Sequence, residues 1–120
     1  MKDRIHFIAH QGKRILFVDC SSCTAEEMEK LSKFIPGYLA DQPKQSVLLL
    51  ADFTGAQIDK KVFERMKQDT VYDRPYIKKS AWYGTDTLPQ VFHEHLKNFS
   101  QRDLPLFKSK EEALDWLVKD

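Results

Sequence analysis

The sequence predicts an α/β domain on a mixed four- to five-stranded sheet, with an N-terminal hairpin followed by β-α units. Three observations point there. The chain closes on an apolar run, Leu104-Pro105-Leu106-Phe107, followed at once by a helix with its own cap at Ser109. Two short apolar runs near the start flank a glycine turn. Between these ends, strand-like runs alternate with helical periodicity. With 120 residues, 42% hydrophobic and 31% charged, and with four glycines and five prolines, the chain can bury one core without metal or disulfide support. A single domain over 1–120 is expected.

The elements come in order. Ile5-His6-Phe7-Ile8-Ala9 and Arg14-Ile15-Leu16-Phe17-Val18 flank His10-Gln11-Gly12-Lys13, where Gly12 supplies the positive φ of a tight hairpin turn. Thr24-Ala25-Glu26-Glu27 is a capping box. It opens a helix with Met28, Leu31, Phe34, Ile35, Tyr38 and Leu39 at helical spacing, and Pro36-Gly37 predicts a kink or an early stop. Ser46-Val47-Leu48-Leu49-Leu50-Ala51 reads as a strand buried on both faces. A helix from about Asp59 turns Val62, Phe63, Met66 and Thr70 inward, and Ile77 to Gly84 is the next strand. Leu88, Val91, Phe92, His95 and Phe99 form the stripe of a third helix, with Pro89 near its start. Ser109 and Glu112 make a capping box for the last helix, which Leu114, Trp116 and Leu117 pin down. The order β-β-α-β-α-β-α-β-α implies right-handed crossovers onto one sheet, with the hairpin strand antiparallel. Ligand or partner sites in such sheets lie beyond the carboxyl ends of parallel strands. Here these are Asp19-Cys20-Ser21, Asp52-Phe53-Thr54-Gly55 and Tyr83-Gly84-Thr85-Asp86.

Charge and composition narrow the function classes. Nineteen Lys and Arg against eighteen Asp and Glu leave no electrostatic footprint for nucleic acid. The densest basic region, Lys60-Lys61-Arg65-Lys67 with Arg74-Lys78-Lys79, carries seven basic against five acidic residues between 46 and 85. It reads as a solvated helix face. No apolar run approaches the ~20 residues of a transmembrane helix, and the first residues lack a signal-peptide stretch. Two cysteines without an export signal point to reduced thiols in a cytoplasm.

Four stretches carry a resemblance. They are Gly12-Lys13-Arg14-Ile15-Leu16 leading to Asp19; Ser46 through Asp52-Phe53-Thr54-Gly55; Pro75-Tyr76-Ile77-Lys78-Lys79-Ser80-Ala81 leading to Gly84; and Leu106-Phe107 through Trp116-Leu117. Together, over about residues 5 to 118, they resemble the SpoIIAA-like branch of the STAS superfamily. That branch includes bacterial anti-sigma-factor antagonists and STAS/SEC14-type small bacterial proteins. The resemblance implies a non-enzymatic module that binds a protein partner or, in some relatives, an apolar ligand, and it implies no cofactor. It also implies a role for Thr54. In the antagonists, a partner kinase phosphorylates a serine in an Asp-Ser-Ser-Gly-like turn at the start of the following helix. Thr54 falls on that serine's position and is the candidate phosphoacceptor. The residues themselves support another reading. Asp59 is the best helix cap, so Gly55-Ala56-Gln57-Ile58 is loop, with Asp52 and Thr54 bonding its backbone and Gly55 in its bend.

Three further constellations have competing readings. Cys20-Ser21-Ser22-Cys23 is a C-x-x-C between a strand and a helix, which invites thiol-disulfide chemistry. Against that, Thr24 puts both cysteines before the helix, Val18-Asp19 stands where thioredoxins carry tryptophan, and the last β-α unit does not suit that fold. His93-Glu94-His95 places two imidazoles two residues apart, so a helix splays them and no metal ligation is expected. His95 is expected inside and His93 in solvent, while His6 and His10 share a strand face without a third ligand. Eight Phe, four Tyr and two Trp are mostly core, yet Phe53, Ile58, Phe63, Met66, Trp82, Tyr83, Phe92 and Phe99 could also line a pocket or leave an apolar patch.

The expected working surface is Asp52, Phe53, Thr54, Gly55, Ile58, Lys60 and Phe63 with Tyr83 and Gly84. It would dock a protein partner or a second copy of the chain. Alternatively, the apolar residues beneath would hold a lipid-like tail while Lys60, Lys61 or Lys78 meets an acidic head.

Overall fold

The computed structural model describes residues 2–120. Strands β1 (Ile5–His10), β2 (Lys13–Asp19), β3 (Val47–Asp52), β4 (Ile77–Tyr83) and β5 (Leu106–Phe107) form one sheet in the order β1-β2-β3-β4-β5. β1 pairs antiparallel to β2 and every other pairing is parallel, as expected. The helices are α1 (Ala25–Leu39), α2 (Lys60–Asp73), α3 (Gln90–Ser100) and α4 (Lys110–Val118).

Local chemistry explains most boundaries. Gln11 and Gly12 both take positive φ, 49° and 77°, the requirement of a two-residue primed hairpin turn. Thr24 closes its capping box with Glu27 in both directions, and Asp59 caps α2 by accepting from the Val62 amide at 2.8 Å. At Ser109 half of the expected box forms, the hydroxyl accepting from the Glu112 amide at 3.2 Å. Pro36 does not stop α1, which runs on to Leu39. Proline there removes one backbone bond in the final turn, and the Ala40 amide still donates to the Pro36 carbonyl at 3.0 Å.

Because each parallel step moves in one direction across the sheet, crossovers of a single hand stack α1, α2 and α3 on the same face. Leu16, Val18, Leu49, Ala51 and Trp82 meet those helices there. The opposite face, with Ile15, Phe17, Leu48, Leu50, Ala81 and Tyr83, packs on Ala113 and Leu117 of α4. β3 is therefore buried on both sides. Two lysines hold the end of α4: Lys13 Nζ donates to the Val118 carbonyl (2.9 Å), and Lys79 Nζ to those of Trp116 (3.0 Å) and Lys119 (2.6 Å).

α3 differs from expectation in its phase. Its inward residues are Phe92, His93, Leu96 and Ser100, whereas Val91 is 70% and Phe99 51% exposed. The two histidines exchange roles: His93 is buried and His95 faces solvent. Leu88 precedes the helix, so carrying the helical period back through Pro89 mis-sets the stripe. Hydrogen bonds make the polar inner face acceptable. His93 Nε2 donates to the Leu104 carbonyl at 2.8 Å, and Ser100 Oγ to the Leu96 carbonyl at 2.6 Å.

Leu50 is fully buried at the centre of β3. Leu50→Ala is expected to cost about 2–5 kcal/mol, read as a lowered urea midpoint.

Candidate functional site

The carboxyl ends of β2, β3 and β4 lie in register, with Asp19 opposite Asp52 and Asp52 opposite Tyr83. One device shapes the first two loops. Asp19 Oδ1 accepts from the Ser21 amide (3.0 Å) and hydroxyl (2.6 Å), and Asp52 Oδ1 accepts from the Thr54 amide (2.9 Å) and hydroxyl (2.6 Å). Each aspartate thus ends its strand in an Asx turn closed by the hydroxyl residue two positions on. The repeated Asp-x-Ser/Thr was visible in the sequence; its equivalence on neighbouring strands was the signal missed.

The loops are also stitched together. Ser22 N donates to the Thr54 carbonyl (2.7 Å), Gln57 N to that of Cys23 (2.9 Å) and Phe53 N to that of Tyr83 (3.0 Å). Arg4 Nη1 bonds the carbonyls of Asp19 (3.2 Å) and Ser21 (2.8 Å) from the outer side. Gly84 is the contact point for the Thr54 turn. At its φ of 67°, an added Cβ would stand 2.7 Å from Thr54 N and 3.0 Å from Thr54 Cα.

The expected site residues divide into two layers. Phe53, Phe63 and Tyr83 are buried and support the loops from below, Phe53 packing edge-on to Trp82 and Phe63 stacking on Phe92 at 4.3 Å. Ile58 and Gly84 are half-buried, while Thr54, Gly55 and Lys60 are exposed. α2 begins at Lys60, so Thr54 sits in the loop, away from a helix amino end. Burial and the neighbouring Asp52 carboxylate raise the Tyr83 phenol, keeping it protonated. The Lys61 ammonium lies 3.6 Å from Glu29.

Cys20 and Cys23 are free and buried. Burial raises both thiols; at Cys20 the neighbouring Cys23, Asp19 and Asp52 add to it. Both therefore stay protonated, the opposite of an activated nucleophile. His6 sits edge-on to Phe17 and His10 Nε2 lies 3.2 Å from Asp115, so the two serve different neighbours.

A cavity of about 80 Å³ lies between α1, α2 and the sheet and reaches Cys20, Phe53 and Val62 beneath these loops. Its apolar walls include Met28, Leu31, Leu49, Ala51, Met66 and Trp82. Arg65, Ser32 and Asp69 form a polar network across the α1–α2 seam: Arg65 Nε donates to Ser32 Oγ (2.8 Å), which donates to Asp69 (2.5 Å). Asp73, Ser80 and Arg102 also line the cavity. Burial first, and then the Asp69 charge, pushes the Asp73 carboxyl up to about 7. The sequence named Phe53, Met66 and Trp82 as possible pocket residues but not the polar ones, because the walls come from eight separate elements or loops.

The comparisons with known proteins bear on the fold. No family model matches the sequence, and no curated protein matches it. Among solved structures it is similar to an uncharacterised DUF3478-family protein from Shewanella loihica PV-4, described as having a SpoIIAA-like fold. The TM-score is 0.69 at 20% identity, covering 95% of this chain and 92% of that one. The fold is SpoIIAA-like. At this identity the likeness establishes architecture, and the expected sheet with helices along it is what the two chains share.

Two outcomes test this geometry. Gly84→Ala is expected to cost about 2–4 kcal/mol, combining a left-handed backbone with overpacking, and to shift the Thr54 and Gly55 amide resonances. For Asp73, the folded carboxyl titrates near 7 against an ordinary 3.8. Folding then takes up a proton between these values, so the burial penalty is absent below pH 4 and complete above pH 7. Asp73→Asn is therefore expected to stabilise the protein by about 2–4 kcal/mol at pH 8, and by little at pH 4. Urea unfolding at the two pH values reads the difference.

Proposed function

We propose that this chain is a non-enzymatic binding module that docks a protein partner through the 52–59 loop, the first turn of α2 and the neighbouring 83–86 loop. The observation that carries the reading is the cross-tied edge of the sheet. Backbone hydrogen bonds couple the loops after β2, β3 and β4, while Thr54, Gly55, Gln57, Asp59 and Lys60 remain exposed on them. Such a surface is ordered before it meets a partner, which reduces the entropy lost on binding. Two protonated, buried thiols support a binding role over redox catalysis.

Within this reading Thr54 is a switch of a particular kind. Its hydroxyl donates to Asp52, and a phosphate would set ~1.5–2 negative charges against that carboxylate. Modification would open the turn and release the partner. The cavity by itself, at about 80 Å³, is well below the ~300–1,000 Å³ of ordinary ligand pockets and does not enclose a lipid-like tail beneath these loops. Lys60 and Lys61 do not line that cavity.

A photo-crosslinking side chain at Lys60, compared with one at Glu111 on α4, tests the docking reading in cells of the native host. One discrete heavier species from position 60 alone is expected. Doubling of the chain's mass would make the partner a second copy; adducts from both positions, or from neither, would refute the reading.

A further inference from the structure

A second void lies at the opposite end of the sheet from the stitched loops. β5 pairs only with Trp82 and Tyr83, so β4 from Lys78 to Ser80 has no neighbouring strand on that side among the described residues. A groove of about 430 Å³ opens there, against the Gln101–Pro105 segment. β4 is irregular at the same place: Val47 pairs with Ile77 and Leu48 with Lys79, leaving Lys78 as the extra residue of a bulge. Bulges of this kind re-aim side chains. This one lets Ile77 and Ser80 both face the α1–α3 side.

The groove is electropositive. Its charged walls are Arg74, Lys78, Lys79 and Arg102 against Asp103. Carbonyls of Trp116 and Lys119 engage Lys79, leaving three cations. Arg74 and Lys78 make no side-chain ion pair among the described residues. Arg102 donates one bond, Nη1 to the Thr70 carbonyl at 3.0 Å, so most of its five N–H groups are unused. Burial lowers the Arg102 pKa, Asp73 opposes that shift, and the Arg74 charge adds to it. Two like charges face a common space that an anion would neutralise.

Ser80 and Arg102 wall both the groove and the inner cavity. Ser80 is 7% exposed, and its buried hydroxyl has no hydrogen-bond partner. A native interior rarely leaves a hydroxyl in that state without a ligand or water to meet it.

We propose that groove and cavity form one binding site for a small amphiphilic acid. Its carboxylate or phosphate head lies among Arg74, Lys78 and Arg102, and its short apolar tail passes Ser80 into the cavity beneath α2. Charge sets the direction of the ligand. Glu29, Asp69 and Asp73 line only the cavity, against Arg65, whereas Arg74, Lys78 and Lys79 line only the groove, against Asp103, so the groove is the end that attracts an anionic head. Ser80 stands between them, where its hydroxyl can donate to a head-group oxygen. The cavity is about half the ~150 Å³ that accepts a benzene ring, so it takes the last few carbons of the tail, and the carbons nearer the head lie past Ser80 along the groove. The groove lies at the opposite end of the sheet from the docking surface, while the cavity runs beneath that surface as far as Cys20, Phe53 and Val62.

Titrating the full chain with sodium hexanoate, sodium acetate and 1-hexanol at constant ionic strength, followed by amide resonances, tests the proposal. Hexanoate is expected to give saturable shifts at Leu49, Lys78, Ser80 and Arg102, with an affinity at least tenfold above either of the other probes. Replacing two exposed cations together, Arg74→Gln with Lys78→Gln, is expected to weaken hexanoate at least fivefold and leave 1-hexanol unchanged. Acetate binding as tightly would reduce the site to a bare basic patch, and 1-hexanol binding as tightly would reduce it to an apolar hole. Either result, an unaffected double variant, shifts elsewhere or no binding at all would overturn it.

Discussion

The winding of the chain across the sheet is the constraint on which the rest depends. From β2 onward each strand is laid beside the previous one in a single direction, and crossovers of one hand then force α1, α2 and α3 onto one face. Only the segment after β5 can cover the other. α4 takes that role with Ala113 and Leu117 against Ile15, Leu48, Leu50 and Ala81. A nine-residue helix is short for the task, and the lysine bonds to its final carbonyls come from β2 and β4, the strands that flank β3. The last element is thereby fastened to the middle of the sheet rather than to its edge.

The same winding gives the two ends of the sheet different characters. At the carboxyl ends, three parallel strands stop in register and their loops share backbone bonds, so polar groups there are satisfied locally. At the amino ends, α2 and α3 return to the sheet beside a β4 that β5 has not yet joined. Asp73, Ser80 and Arg102 gather there with fewer partners than buried polar groups normally have. One end presents a finished surface; the other keeps unmet hydrogen-bonding capacity next to space.

α3 illustrates how polar satisfaction overrides hydrophobic pattern. Val91 and Phe99 are the more apolar residues, yet His93 and Ser100 go inside. The chain between α3 and β5 places the Leu104 carbonyl over His93, and that bond holds the helix in a phase that leaves Phe99 half-exposed under the Lys67 ammonium, 4.7 Å from its ring centre. Moving His93 outward would leave the Leu104 carbonyl without its imidazole donor, a cost comparable to what burying one more aromatic edge would gain.

By itself the sequence determined the element order, the hairpin, the caps at Thr24, Asp59 and Ser109, and the inward face of α2. These arise from local chemistry: positive φ at Gly12, hydroxyl or carboxylate acceptors at helix starts, and a 3.6-residue period set within the helix. It also identified the Asp52–Gly55 turn and the Asp52 bond to its backbone, since an Asx turn is closed by residues two positions apart, but expected the Thr54 hydroxyl on the loop backbone where it donates to the Asp52 carboxylate. Tertiary structure alone decided the phase of α3 and the shortness of β5. It alone decided the meeting of Asp73, Ser80 and Arg102 beside the open edge of β4. Each of these depends on groups distant in sequence, whose approach is set by how the sheet is wound, and no local period or motif records that approach.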